Sequence, residues 1–246
     1  MDLLLKHKTI RKFLEKEVPS ELLENILTAG CRASTTGNMQ VYSIIVTKNR
    51  AVKEKLMPLH FNQPVAKSAP LLLTFCADFN RFSKWCELRK AIPGYNNFLS
   101  FITASIDALL AAQNVCIAAE DKGLGICYLG TTTYNAKEII EVLNLPKLVF
   151  PVTTVAIGWP GEDPLQTDRL PLKAVVHEER YKDYSKEDID ELYSYKENLP
   201  ESLQFISENS KETLAQVFTD VRYKKSDNEF FSEKIVEVLK VQGFLS

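Results

Sequence analysis

Four of the seven side chains in His7-Lys8-Thr9-Ile10-Arg11-Lys12-Phe13 are basic or can become so, yet the 246-residue chain has a formal net charge of −2. Cations gathered beside a hydroxyl suit an anionic ligand. Alone, the stretch would serve equally as a solvated basic turn. A second stretch, Arg32 to Gln40, sets Ser34, Thr35 and Thr36 in a row ahead of Gly37, Asn38 and Gln40. Small hydroxyls and the backbone N–H groups of a glycine-containing turn suit a phosphate or a polyol chain, though a plain polar loop has the same composition. A third, GLGICYLGTTTYN, ends a strand in a tight turn whose N–H groups can face a ligand. Arg169 stands isolated between prolines in IGWPGEDPLQTDRLP.

The elements that must position these groups follow from periodicity. A short helix is expected over Asp2 to Lys8, and another over VPSELLENILTAGCRAS, with Ser20 as N-cap and Leu22, Leu23, Ile26 and Leu27 at helical spacing. VYSIIVTKN and PLLLTFCAD read as strands, with helical pieces near 50–58, 63–68 and 79–91. From Leu99 to Ala119 the chain is apolar on nearly every helical face, broken only by Ser, Thr, Asp107, Gln113 and Asn114. A helix apolar all round is buried all round, and a homodimer with this helix at its interface achieves that more simply than one chain wrapping it. Gly123 is placed to close the helix in the left-handed conformation. ICYLG (a strand), NAKEIIEVLNL (a helix) and VFPVTTVAIGWP (a strand) follow. After Pro160 periodicity fades into an extended arm, and two more polar helices are expected at 186–196 and 229–242.

Composition narrows the function. The acidic balance argues against a general nucleic-acid binder. The opening MDLLLKHK reads as neither a signal nor a transit peptide, and no uncharged run approaches the ~18 apolar residues of a membrane span. Cys31, Cys76, Cys86, Cys116 and Cys127 form no C-x-x-C pair, which suggests reduced, buried thiols in a cytoplasmic protein without nucleic-acid or membrane partners. The three histidines, His7, His60 and His177, show no metal-ligand spacing.

Taken together and in order, HKTIRKF, ASTTGNMQVYSII, CADFNR, AAQNVCIAAEDKGLGICYLG and IGWPGEDPLQTDRLP…VVHEERY resemble the FMN-dependent nitroreductase superfamily, most closely its oxygen-insensitive NADPH nitroreductase and flavin reductase branch. The similarity runs from about residue 3 to residue 182. Helix–strand alternation alone suggests a parallel α/β sheet. The resemblance implies instead an α+β, three-layer sandwich with a mostly antiparallel sheet, a long buried helix and an intertwined homodimer. Residues 1–182 would form the FMN-binding core with its arm, and 183–246 a helical extension of the same domain.

The resemblance also assigns roles. His7, Lys8 and Thr9 would lie at the FMN phosphate. Arg11 would face N1 and the C2 carbonyl, placing permanent charge where reduction adds electrons. Ser34, Thr35, Thr36 and Asn38 would line the ribityl chain and ring edge. Gln63 would bond the pyrimidine edge, the Tyr128-Leu129-Gly130-Thr131 turn would bring N–H groups to N5 and O4, and Arg169 would close on the phosphate. No acid–base dyad is expected, because the chemistry is the flavin's. NADPH or NADH would reduce the flavin and a nitroaromatic, quinone or free flavin would reoxidise it, in ping-pong order. Rival readings are a reductase of an enone or disulfide, and a flavin-binding protein without catalysis. Three positions depart from the family pattern: Lys8 where Arg is usual, Thr131 where Gly often stands, and Thr167 in place of a Lys. Arg222, Lys224 and Lys225, in a loop expected before the last helix, are candidates for a dinucleotide 2′-phosphate.

Overall fold

The computed structural model describes residues 2–245. Four strands, β1 (Tyr42–Thr47), β2 (Leu71–Asp78), β3 (Gly125–Leu129) and β4 (Val149–Gly158), form one sheet in the order β1-β2-β4-β3. Every neighbouring pair is antiparallel. Helix–strand alternation taken by itself therefore misleads: β2 and β3, on either side of α6 in the chain, do run the same way, but β4 lies between them and no two neighbouring strands are parallel. All eight residues of β2 are buried, as a strand covered on both faces must be.

Alternation along β2 sorts the two faces. Leu71, Leu73 and Phe75 pack with Leu23 and Ile26 of α2 (Ser20–Gly30) and with Ala108, Ala111, Ala112 and Val115 of α6 (Phe98–Asp121). Leu72 turns the other way. It joins Leu56 of α3 (Arg50–Leu56), Val65 and Ala66 of α4 (Pro64–Ser68) and Ile139 of α7 (Ala136–Leu143). The result is the expected helix–sheet–helix sandwich. α1 (Asp2–Leu5) and α5 (Asn80–Leu88) complete the helices of this part of the chain.

Helix α6 begins where Asn97 accepts the Ser100 N–H at 3.0 Å. It ends in a Schellman motif: Gly123, at φ +76°, donates to the Glu120 carbonyl, and Leu124 donates to that of Ala119. Two glycines permit close approaches that larger residues would block. A Cβ on Gly30 would come 2.1 Å from Val115, so α2 and α6 pack tightly there. A Cβ on Gly125 would come 2.7 Å from Ile10, so the N-terminal segment runs against β3. By length and composition α6 would qualify to cross a membrane. Here Ala104, Asp107, Ala108, Ala111, Ala112, Val115 and Ala119 are buried, while Leu99, Ile102, Ile106, Leu109 and Leu110 are exposed. The single chain thus buries one face of the helix and leaves a stripe open.

Several boundaries differ from the sequence reading. α1 stops at Leu5. Pro19, not Ser20, occupies the cap of α2, and no side chain caps it. Cys31 is exposed, unlike the other four cysteines, because it follows α2 at the surface.

The chain divides into two compact units. The first comprises residues up to Gln166 and those from Glu233; the second comprises Thr167–Ser232. The second holds α8 (Lys186–Glu197), capped by the reciprocal Ser185–Asp188 box, together with α9 (Pro200–Glu208) and α10 (Leu214–Gln216). A π-helical turn over Val217–Arg222 leads toward α11 (Lys225–Gln242), whose C-terminal half belongs to the first unit. The basic stretch read as a loop is therefore largely helical. Arg222 ends the π turn, its guanidinium 4.3 Å from the Phe205 ring centroid, and Lys225 opens α11.

Candidate functional site

The N-terminal segment is fastened to the end strand. Thr9 bridges Ile126, and Ile10 donates its N–H to the Ile126 carbonyl at 3.0 Å. The Glu162 carboxylate accepts the N–H groups of both Arg11 and Lys12, at 2.7 and 3.0 Å. Carboxylates also meet two of the four basic side chains. His7 Nδ1 lies 2.7 Å from Glu120 of α6, and Lys8 donates to Asp163 at 2.7 Å. The exposed Arg11 guanidinium makes no hydrogen bond or ion pair among the described residues. Its charge still reaches the strand: burial raises the Cys127 thiol pKa, and Arg11 opposes that shift. The unneutralised cations are thus Arg11 and Lys12, a narrower set than the sequence suggested.

The hydroxyl-rich loop hangs from α6. Thr36 donates its N–H to Asp107 Oδ1 at 2.9 Å and Val41 donates to Oδ2 at 3.2 Å, while Asp107 itself is fully buried. Between these anchors the backbone takes left-handed conformations at Gly37, Asn38 and Gln40, which are costly for the non-glycine pair. Ser34, Thr36 and Asn38 are exposed and Thr35 is half-buried.

The turn after β3 is closed by Thr132, which gives its N–H and its hydroxyl to the Leu129 carbonyl, at 3.3 and 2.9 Å. Tyr128 donates its hydroxyl to Gln113 of α6 at 3.3 Å. Gly130 is exposed, and a Cβ there would meet nothing within 4 Å. Gln63 stands at the N-terminal boundary of α4, its side chain making no capping bond, and donates its N–H to the His60 carbonyl at 3.1 Å. His60 is fully buried, its Nδ1 2.9 Å from Thr131 Oγ1. Burial pushes its pKa down to about 4, so the ring is neutral near pH 7.

The structure therefore unites residues 7–11, Gln63 and the Tyr128–Thr131 turn through β3 and His60. It ties the 34–38 loop, Tyr128 and His7 to α6 at Asp107, Gln113 and Glu120, a span of about 20 Å along the axis. At 3.6 residues per turn, Gln113 and Glu120 continue the line of the exposed stripe, and Asp107 sits about 120° around the helix. The 34–38 loop and the His7–Tyr128 edge thus stand on different faces of α6. Arg169 belongs to the second unit, where its guanidinium donates to the Thr167 hydroxyl at 2.9 Å and to the Asp168 carbonyl at 2.8 Å.

Sequence reasoning missed the roles of Asp107, His60, Glu120 and Glu162. Asp107 carried a signal, being the one charge within Leu99–Ala119. A lone buried carboxylate needs partners, and its partners are the loop's N–H groups.

Fold and site together define an α+β protein that presents unpaired cations, exposed hydroxyls and an open turn beside one central helix. The nitroreductase family profile matches residues 4–159, and the chain belongs to that family. An FMN reductase [NAD(P)H] of Bacillus subtilis is 32% identical over 97% of this chain and 94% of its own. An oxygen-insensitive NADPH nitroreductase of Salmonella typhimurium is 36% identical over 74% of each chain. Among solved structures, a Bacteroides fragilis protein matches over 100% of both chains at 57% identity and a TM-score of 0.99.

Proposed function

We propose that this chain binds FMN along the edge formed by residues 7–11, Gln63 and the Tyr128–Thr131 turn, and that a second copy of the chain completes the site. The chain is an NAD(P)H-dependent oxidoreductase with FMN as cofactor. When bound, FMN supplies hydride transfer from a reduced nicotinamide to a small acceptor such as a nitroaromatic, a quinone or free flavin. The observation that carries the reading is Arg11. Its backbone is fixed by Glu162 while its guanidinium stays exposed and unpaired beside β3. A permanent cation held there favours negative charge on a bound ring.

The other residues hold and orient. Asp107 fixes the 34–38 loop so that its hydroxyls and carboxamide keep their places. Gly130 leaves room for close approach at the turn. His7 and Lys8 are steadied by Glu120 and Asp163.

The dimer is supported by the stripe of Leu99, Ile102, Ile106, Leu109 and Leu110, all exposed in the single chain. Contiguous apolar surface of this kind marks an interaction face. Because Gln113 and Glu120 continue the line of the stripe, a partner seated on it would also reach the His7–Tyr128 edge. A cytoplasmic setting is supported by five cysteines without a disulfide.

Titration of the flavin-free protein with FMN tests the reading. Quenching of FMN fluorescence at one FMN per chain, weakened by Arg11→Ala, is expected. Absence of binding to the wild-type chain would refute it.

A further inference from the structure

His60 lies beneath the candidate edge and is not among the residues proposed above to touch FMN. Its imidazole joins two segments distant in sequence: the 58–63 stretch that presents Gln63, and the turn that presents Gly130 and Thr131. The link is buried at both ends, with His60 fully inaccessible and Thr131 nearly so. The stretch around it is conformationally costly, since Phe61 and Asn62 both have φ above +50°. Asn135 adds a second tie between the same regions, donating to the Leu59 carbonyl at 2.6 Å.

The tautomer can be argued from what the ring lacks. His60 Nε2 is buried and has no hydrogen-bond partner among the described residues. A proton there would be an orphaned buried N–H, which folded proteins rarely leave. The neutral ring therefore carries its proton on Nδ1 and donates it to Thr131 Oγ1, so that only a lone pair is left unmatched. The low pKa agrees, because a second proton on Nε2 would be a buried charge without a partner. Thr131 then spends an acceptor position on His60 and keeps its own hydroxyl proton for another group.

We propose that His60 and Thr131 form a positioning pair that locks the Gln63 segment and the Tyr128–Thr131 turn into one rigid edge for the flavin ring. Thr131 supplies the hydroxyl on which the pair depends. A glycine offers no hydroxyl for an imidazole to hold. This inference rests on the FMN reading above.

The test compares wild type with His60→Leu, His60→Asn, Thr131→Val and the His60→Leu/Thr131→Val double variant in the full-length protein. FMN dissociation constants come from fluorescence titration, and the midpoint potential of the bound flavin from equilibration with a reference dye. A net hydrogen bond of ordinary strength predicts that His60→Leu and Thr131→Val each weaken FMN binding about five- to tenfold. The double variant should be no weaker than either single one. His60→Asn, whose amide reaches the Nδ1 position, should restore both affinity and potential. A purely structural role would lower the unfolding midpoint of His60→Leu while leaving affinity and potential at wild-type values, and that result overturns the proposal. So does additivity of the two single changes. If His60→Leu fails to fold, Thr131→Val with wild-type affinity and potential overturns it alone. Failure of the wild-type chain to bind FMN overturns the underlying reading as well, and is recognised by the wild-type titration.

Discussion

Replacing Asp107 with alanine removes the carboxylate that hydrogen-bonds the 34–41 loop to α6. The two N–H groups it serves differ. Val41 is fully buried, so its amide would be left without any acceptor, a cost of about 1.5–3 kcal/mol for a bond to a carboxylate. Thr36 is exposed, water can replace the lost acceptor, and its share is about 0.5–1.5 kcal/mol. The sum, roughly 2–4 kcal/mol, is a large part of the stability of an ordinary domain. With a urea dependence of about 2 kcal/mol/M, the midpoint should fall by about 1–2 M. Asp107→Asn should not rescue fully, because its amide nitrogen would face one of the two N–H donors. Urea unfolding is followed by circular dichroism at one protein concentration and without FMN, since ligand or partner binding would raise the midpoint. The same variants should bind FMN more weakly, because the left-handed residues Gly37, Asn38 and Gln40 lose their tether. An Asp107→Ala protein within about 0.5 kcal/mol of wild type, the scatter of neutral surface changes, would refute the loop-anchor argument.

Arg11→Ala should weaken FMN binding at least tenfold and lower the flavin midpoint potential, whereas Lys12→Ala should do neither; equal titration curves would place the charge on the wrong residue. Because the His60 pKa falls from 6.5 to about 4 on folding, its neutral form stabilises the fold fully above pH 6.5, and that stability is lost as pH drops toward 4. Between pH 7.5 and pH 5.5 this group alone should cost about 1.4 kcal/mol, which His60→Asn should abolish; identical pH dependence of melting in the two proteins would contradict the buried neutral ring. Ile106→Glu, in the exposed stripe of α6, should convert a dimer to monomers in light scattering without altering the circular dichroism of the fold, and a stable dimer would move the interface elsewhere.

Much of the architecture was readable from residues. The continuous apolar run of β2 and the closure of α6 at Gly123 were both visible, because burial and helix ending leave strong local marks. The sheet's direction was not, since helix–strand alternation says nothing about which strands pair; the antiparallel order came from the resemblance. Candidate ligand residues could be picked out by type, but not their internal partners. Nothing in HKTIRKF reveals that Glu120, Asp163 and Glu162 await it more than 100 residues later. His60 looked like a scattered histidine because its partner, Thr131, is 71 residues away. The late basic stretch was misjudged because the π turn that stacks Arg222 on Phe205 depends on a tertiary contact.

The central claim is that this edge holds a flavin that a reduced nicotinamide can reach. The direct measurement is the absorption spectrum of the purified protein, before and after anaerobic addition of NADPH or NADH. A flavin spectrum at about one FMN per chain, bleached by a reduced nicotinamide and restored by a quinone or nitroaromatic, is the expected result. A colourless protein that gains no flavin spectrum on incubation with FMN, or a flavin that neither nicotinamide bleaches, would contradict it.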